Sequence, residues 1–123
     1  MTTPEILTRI RCRVHTLNAT LDGTFPNRLP EPSVQGLKPL SRMVVATGAC
    51  LGIAHDGDGD RTVFIDEKGR YLEENREFAL IAEAMCRVKK GVVVTPVSSS
   101  RIIEEITARL GCTVEYTPVG SIY

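Results

Sequence analysis

The sequence predicts an α/β fold with a mainly parallel sheet, flanking helices and a strand–loop–strand segment that carries acidic residues. Three observations support this prediction. Short β-branched runs alternate with two stretches of helical periodicity in the C-terminal half. Apolar residues make up 42% of the 123 residues and charged residues 24%, as in ordinary folded proteins. Helices between strands permit right-handed crossovers, which bring successive strands into parallel alignment.

The N-terminal third combines a short helix, a predicted strand and a long loop. Residues 3–5 (T-P-E) predict a helix start, with a hydroxyl cap, a proline in the first turn and an acid at the positive end of the helix dipole. Residues 13–18 alternate apolar and polar side chains and predict a strand. Residues 19–33 contain three prolines and an Asp-Gly pair, so they predict a loop. A loop of this length is usually functional or packed against other structure.

The middle of the chain predicts a helix followed by two strands. A helix is expected from Ser33 into the forties, and Pro39 could itself open it and leave residues 33–38 as a turn. Residues 50–55 and 62–66 are apolar or β-branched and predict strands. The acidic loop between them should therefore lie at their shared edge.

The C-terminal part predicts two further helix–strand pairs. Apolar residues recur at helical spacing over residues 75–90, and Gly91 is the expected C-cap. Residues 92–97 predict a strand. A second amphipathic helix, ended by Gly111, then leads to a final strand at residues 113–117.

Composition excludes several classes of partner and location. Fifteen basic residues balance fifteen acidic ones and aromatic residues are few, so neither a nucleic-acid nor a membrane-surface partner is expected. Secretory and membrane-spanning patterns are missing from the sequence, so a cytoplasmic location is expected. The scattered cysteines lack a C-x-x-C pair, which speaks against zinc and predicts buried, reduced thiols.

The acidic loop carries the clearest chemical signal. Asp56, Asp58 and Asp60 alternate with glycines, which let the backbone curl until three carboxylates converge. Carboxylate oxygens suit Mg²⁺, Mn²⁺ or Ca²⁺, and without a cation three such charges repel one another. A solvated acidic turn is the structural alternative. The adjacent Arg61 suggests a phosphate, because a guanidinium matches a phosphoryl group.

An EF-hand is the nearest rival interpretation of this loop. Counted from Asp56, acids fall at the first, third and fifth positions, and Glu67 falls at the twelfth. Arg61 nevertheless stands at the sixth position, where an EF-hand needs glycine, and a strand-like run follows at once. The EF-hand is therefore rejected.

Other polar residues near these motifs have weaker expected roles. His55 directly precedes the loop, and a role in orienting the metal ligands without touching the metal is left open for it. Arg28 and Glu31 are expected to be solvated or packed against neighbouring structure. The serines at 98–100 are expected to cap a helix and not to act as nucleophiles, because no base stands nearby in the sequence.

The loop and its surroundings resemble one enzyme superfamily. The segment G-I-A-H-D-G-D-G-D-R at 52–61 is similar to the metal-loop signature of the α-D-phosphohexomutases, the phosphomannomutase, phosphoglucomutase and phosphoglucosamine mutase superfamily. The other matching segments are D-G-T-F-P at 22–26 with P-E-P at 30–32, V-V-T-P-V-S-S-S at 93–100, and T-P-V-G at 117–120. The resemblance covers nearly the whole chain in the family's order.

The resemblance implies roles for particular residues. Asp56, Asp58 and Asp60 would hold Mg²⁺, with an oxygen of a phosphorylated serine as the fourth ligand. Arg61 would be catalytic and steady the phosphoryl group in transit. Gly120 would be a weaker, substrate-binding residue, because its loop lies against the sugar phosphate in relatives.

The resemblance also implies what the chain contributes to a reaction. Residues 1–90 would be a partial second domain with the metal loop, and residues 91–123 a partial third domain. Members of the family are isomerases that move phosphate between C1 and C6 of hexose phosphates. Because no T-A-S-H-N-P-like phosphoserine segment or sugar-recognition loop is found, the chain is expected to be inactive alone. The strand that precedes the first helix in the family is missing as well, which should leave a sheet edge or apolar face uncovered. Self-association, domain swapping or pairing with a complementary mutase chain is therefore expected. A non-catalytic module that binds metal or a phospho-ligand, or that serves assembly, is the alternative.

Overall fold

The computed structural model describes residues 2–120 and confirms the α/β class. Two helices and then two strands come first along the described chain, with the acidic loop between these strands, and helices and strands alternate after them. The elements are α1 (Thr3–Arg9), α2 (Lys38–Thr47), β1 (Leu51–His55), β2 (Thr62–Asp66), α3 (Glu74–Val88), β3 (Val92–Pro96), α4 (Ile102–Arg109) and β4 (Thr113–Thr117). Within these residues no helix is both long enough and apolar enough to cross a membrane.

The chain divides into two compact units between Tyr71 and Leu72. The sequence had suggested a division between residues 90 and 91, after the helix that the structure labels α3. The division comes earlier because α3 packs against α4 and so belongs to the second unit. Hydrophobic burial between these two helices, which sequence periodicity cannot assign to a partner, decides the boundary.

The first unit is built on a β-hairpin covered by α2. Strands β1 and β2 pair antiparallel, from Leu51 opposite Asp66 to His55 opposite Thr62. The buried residues form one cluster of side chains from α2, its preceding turn and both strands: Leu37, Val44, Ala54, Val63 and Ile65. The acidic loop, residues 56–61, connects the two strands and lies at the turn end of the hairpin.

Close approach of α2 to the sheet depends on Gly52. A Cβ added at this position would lie 2.8 Å from Cγ2 of Val44 and 3.1 Å from Cβ of Ile65. The helix begins at Lys38 with Pro39 in its first turn, which confirms the later of the two expected starts. It ends at Gly48, whose φ of 65° is the left-handed conformation that glycine adopts without strain.

The second unit is a β-α-β segment with α3 added. Strands β3 and β4 pair parallel, with Val92 opposite Thr113, and α4 connects them. The expected parallel pairing therefore holds for this pair, whereas β1 and β2 are antiparallel. The physical reason is the connection, because the loop 56–61 can reverse the chain but is too short for a crossover.

Three local expectations were wrong. Residues 13–18 form no strand, because alternation without a partner leaves backbone groups unpaired, and Asn18 has a φ of 55°. Gly91 is not a C-cap, since α3 ends at Val88 and Lys89 is extended. All four cysteines are free, but only Cys86 and Cys112 are buried, whereas Cys12 and Cys50 are exposed.

Candidate metal centre

The hairpin brings the three predicted acids together. The loop between β1 and β2 closes where the N–H of Asp56 donates to the carbonyl of Arg61 at 3.2 Å. Gly59 has a φ of 80°, a conformation that a side chain would strain. One carboxylate oxygen from each of Asp56, Asp58 and Asp60 lies within 4.8 Å of the others. The acidic loop is therefore a convergent cluster of oxygen atoms.

Asp56 is the buried member of the cluster, with its side chain 2% exposed. Its Oδ1 accepts the backbone N–H groups of Gly59 at 2.9 Å and Arg61 at 3.2 Å, and its Oδ2 accepts Nε–H of Arg61 at 2.7 Å. Burial raises the pKa of Asp56, but the hydrogen bonds from Arg61 outweigh it and bring the pKa to about 2. The carboxylate is thus ionised at neutral pH.

The other two acids are exposed. The pKa of Asp60 is raised, first by its contact with the Asp56 carboxylate and then by the charge of Asp58. The cause is like-charge crowding, which disfavours ionisation of neighbouring carboxylates. The nearest basic group is Arg61, whose Nε lies 3.6 Å from Oδ1 of Asp60. One guanidinium charge leaves the three carboxylates incompletely neutralised, so the cluster favours a further cation.

Arg61 bridges the acidic loop and the Pro-rich loop at residues 19–33. Its Nε donates to Asp56, and its Nη1 donates to Oε1 of Glu31 at 3.1 Å. These two contacts raise the pKa of Arg61, the Asp56 hydrogen bond first. The side chain is 63% exposed, and in the described part of the chain its other guanidinium N–H groups have no hydrogen-bond partner. Those donors are available to an anion beside the loop.

The Pro-rich loop is tied to the acidic loop through Arg28. Its guanidinium donates to the carbonyls of Leu29 at 2.9 Å and Pro30 at 3.0 Å, and also to the carbonyl of His55 at the end of β1. At Gly57 an added Cβ would lie 2.9 Å from Cβ of Pro30. The two loops are thus packed against each other, and a side chain at position 57 would not fit.

Arg28 and Glu31 were expected to be solvated or packed against neighbouring structure. The structure shows contacts to the hairpin for both, from Arg28 to the carbonyl of His55 and from Glu31 to Arg61, but these partners were not predicted. The only signal in the sequence is the unusual length and proline content of their loop, which predicts packing without naming a partner.

His55 supports the hairpin with its ring. Its Nε2 lies 2.8 Å from Oγ1 of Thr3, and its Nδ1 lies 2.9 Å from Oγ1 of Thr62. Both ring nitrogens are therefore engaged by hydroxyl groups. Thr3, expected to cap α1, instead lies inside the helix and bonds to this ring. His55 consequently ties α1 to the base of the acidic loop.

Gly120 and the three serines lie in the second unit. Gly120 is exposed and follows β4, and nothing in the second unit's geometry tests its expected role. Oγ of Ser99 lies 2.6 Å from Oγ1 of Thr95, and the N–H of Ser100 donates to Oδ1 of Asn75 at 3.0 Å. Among the residues of this unit that the structure describes, no histidine is present that could act as a base for these serines.

The donor set of the acidic loop fits a hard divalent cation. All three candidate ligands are carboxylates, the type that Mg²⁺ and Ca²⁺ prefer, and one of them is held ionised in a fixed orientation. With three N–H groups already on Asp56, Oδ2 is the oxygen with capacity left for a cation. Asp58 and Asp60 are exposed and can complete the ligand set.

Comparisons with known proteins agree on one family. Its models, described as phosphoglucomutase/phosphomannomutase alpha/beta/alpha domain II and domain III, match residues 1–69 and 73–123. A phosphoglucomutase/phosphomannomutase from Thermococcus kodakarensis is 42% identical over 123 residues, which are 99% of this chain and 27% of the relative. A probable phosphoglucosamine mutase from Methanosarcina barkeri is 43% identical over 121 residues, covering 98% of this chain and 27% of the relative.

A solved structure shows the same fold. A phosphoglucomutase/phosphomannomutase family protein from Burkholderia thailandensis superimposes with a TM-score of 0.85 at 26% sequence identity, covering 95% of this chain and 26% of that one. This chain therefore spans about a quarter of the length of the proteins that it matches.

Proposed function

This chain belongs to the phosphoglucomutase/phosphomannomutase family, and we propose on that premise that residues 56–61 are the Mg²⁺ loop of a phosphohexomutase site. The observation that carries the proposal is the convergence of one oxygen each from Asp56, Asp58 and Asp60 within 4.8 Å, directly beside Arg61. The reaction implied by the family resemblance moves phosphate between C1 and C6 of a hexose phosphate, through a phosphoserine enzyme and a bisphosphorylated sugar.

In this proposal the three carboxylates hold the cation and Arg61 holds the phosphate. A bound Mg²⁺ would neutralise negative charge on a phosphoryl group beside the loop. The hydrogen bonds on Asp56 keep its carboxylate oriented before any ligand arrives, so little reorganisation is needed. The unpartnered N–H groups of Arg61 match the oxygens of a phosphoryl group. Gly120 is assigned, through the resemblance alone, to the loop against the sugar phosphate.

The nucleophilic serine and the sugar-recognition loop come, in this proposal, from polypeptide outside these residues. Residues 1–123 contain no T-A-S-H-N-P-like segment. The 123-residue chain assayed alone should therefore not convert glucose or mannose 1-phosphate to the 6-phosphate, even with Mg²⁺ and a bisphosphate activator. Robust turnover by the purified chain would contradict this part of the proposal. The relatives, which are mutases, do not favour the alternative of a non-catalytic module.

The proposed partner is a complementary mutase polypeptide or a second copy of this chain. Support comes from apolar side chains on α3 and β3 that are at least half exposed, namely Phe78, Met85, Val88, Val92 and Val94. Apolar surface of this kind usually marks an interaction site. Light scattering at micromolar concentration tests self-association, and a monodisperse monomer would count against it.

The metal assignment is tested by titration of the chain with Mg²⁺, followed by calorimetry. Asp58→Asn should abolish the binding heat, because it removes an exposed ligand without touching the buried hydrogen bonds of Asp56. Glu67→Gln is the matched control, since it removes one exposed negative charge from the turn after β2. The absence of any Mg²⁺ binding by the unmodified chain at millimolar concentration would overturn the proposal.

A further inference from the structure

We infer that Glu31 is a positioning residue that draws Arg61 away from the acidic loop and thereby sets the loop's affinity for a divalent cation. This inference rests on the proposed function, because it concerns the same cation site. It assigns to the Pro-rich loop a role that acts through Arg61 and not through contact with the cation.

Arg61 and a cation compete for the same oxygen. Both N–H groups on Oδ1 of Asp56 come from the backbone and form part of the loop, so they stay in place. The remaining oxygen, Oδ2, accepts the Nε–H of Arg61 at 2.7 Å. Oδ2 is therefore the atom available to a cation, and the guanidinium charge is already there. A cation on Oδ2 would carry the same sign of charge as the guanidinium and would be repelled by it. The placement of Arg61 therefore controls how favourably a cation binds.

Glu31 determines which way the guanidinium leans. It accepts a hydrogen bond from Nη1 of Arg61 at 3.1 Å, whereas the Asp56 contact is made by a different atom of the same guanidinium group, Nε. Asp60 is the other acid near this guanidinium, with its Oδ1 3.6 Å from Nε. Without Glu31, the attraction of Asp60 is no longer balanced, and the guanidinium moves further over the acidic loop.

The position of Glu31 is fixed by its loop. Pro30 and Pro32 flank it and restrict its backbone. Arg28 ties the same loop to the carbonyl of His55, and Pro30 packs over Gly57. The carboxylate of Glu31 is therefore presented to Arg61 by a backbone anchored to the hairpin, although its own side chain is 76% exposed.

A double-mutant cycle with a cation titration tests this role. Glu31→Met removes the acceptor and should weaken Mg²⁺ binding by about two- to fivefold, the range set by an exposed ion pair. Glu31→Gln retains a neutral acceptor, and its Mg²⁺ affinity should lie between those of the unmodified chain and Glu31→Met. Glu67→Met, which removes an exposed acid that lies in the turn after β2 and makes no ion pair with Arg61, should leave the affinity unchanged.

Repeating the Glu31→Met change in an Arg61→Met chain shows whether Glu31 acts by positioning Arg61 or by its own negative charge on the cation. Arg61→Met should tighten Mg²⁺ binding, because the competing charge on Asp56 is gone, and Glu31→Met should then have no further effect. Equal weakening by Glu31→Met in both backgrounds would overturn the inference, since Glu31 would act by its own charge. Unchanged affinity in Glu31→Met, beside a chain that binds Mg²⁺, would overturn the inference alone. No binding by the unmodified chain would overturn the proposed function and the inference together.

Discussion

Asp56 and Arg61 close the acidic loop with three hydrogen bonds to each other. The Asp56 N–H donates to the Arg61 carbonyl at 3.2 Å, the Arg61 N–H donates to Oδ1 at 3.2 Å, and Nε–H donates to Oδ2 at 2.7 Å. One residue pair thus sets both the shape of the loop and the charge at its centre.

The first prediction concerns the two kinds of acid in the loop. Asp56→Asn and Asp58→Asn should both abolish Mg²⁺ binding, but without metal only Asp56→Asn should lower the melting temperature. The reason is that Asp56 is buried and accepts three N–H groups, whereas Asp58 is exposed beside like charges. Thermal unfolding in the presence of a chelator measures the difference. Equal melting temperatures for the two variants would contradict it.

The second prediction concerns the contact between the two loops. Gly57→Ala should cost about 1–3 kcal/mol of stability, as overpacking does, because the new Cβ would lie 2.9 Å from the ring carbon Cβ of Pro30. Gly23→Ala is the matched control in the same unit, since nothing lies within 4 Å of its added Cβ. Urea unfolding of both variants provides the measurement. A Gly57→Ala variant as stable as Gly23→Ala would show that the loops do not pack in this way.

The third prediction concerns the approach of α2 to the hairpin. Gly52→Ala should destabilise the first unit by about 1–3 kcal/mol, because its Cβ would lie 2.8 Å from Cγ2 of Val44. The double variant Gly52→Ala/Val44→Ala should recover part of that loss, since the second change removes the colliding methyl group. Chemical denaturation of the single and double variants checks this. Additive losses would mean that Val44 is not the neighbour that Gly52 accommodates.

The fourth prediction is a pH dependence at the turn after β2. Hydrogen bonds to Asp66, first from the side chain of Arg70 and then from its backbone N–H, lower the pKa of this carboxyl below its usual value. A folded pKa below the unfolded one stabilises the protein above the unfolded pKa, near 3.9, and the effect is lost as pH falls through the folded pKa.

Asp66→Asn should therefore be less stable than the unmodified chain at pH 7, and the difference should shrink as the pH falls below about 4. Urea unfolding of Asp66→Asn and of the unmodified chain at a series of pH values measures the difference. A difference for Asp66→Asn that stays constant down to pH 2 would rule out the pKa shift as its cause.

Sequence reasoning succeeded where the determining interactions are local. The hairpin strands follow from an apolar run before a Gly-rich loop and a β-branched run after it, and the acids on that loop are close because only one residue separates each from the next. The start of α2 at Lys38, with Pro39 in its first turn, and the left-handed Gly111 after α4 also depend on neighbouring residues alone. Such features need no knowledge of the rest of the chain.

Sequence reasoning failed where a partner was needed. The alternation at residues 13–18 predicts a strand, but strand formation requires a second strand to accept its hydrogen bonds. Thr3 was expected to cap α1, whereas its hydroxyl bonds to His55, 52 residues away. Cys12 and Cys50 adjoin apolar residues and are nevertheless exposed. In each case the outcome depended on a neighbour that the local pattern does not specify.

The sequence by itself determined the acidic loop, its flanking strands and the resemblance to the mutase family. Only the tertiary structure decided that Arg61 rests on Asp56 and Glu31, and that Arg28 ties the Pro-rich loop to His55. Glu31 lies 30 residues from Arg61, and Arg28 lies 27 residues from His55. Contacts at such separations depend on how the whole unit closes its loops and buries its core, which no local pattern of residues encodes.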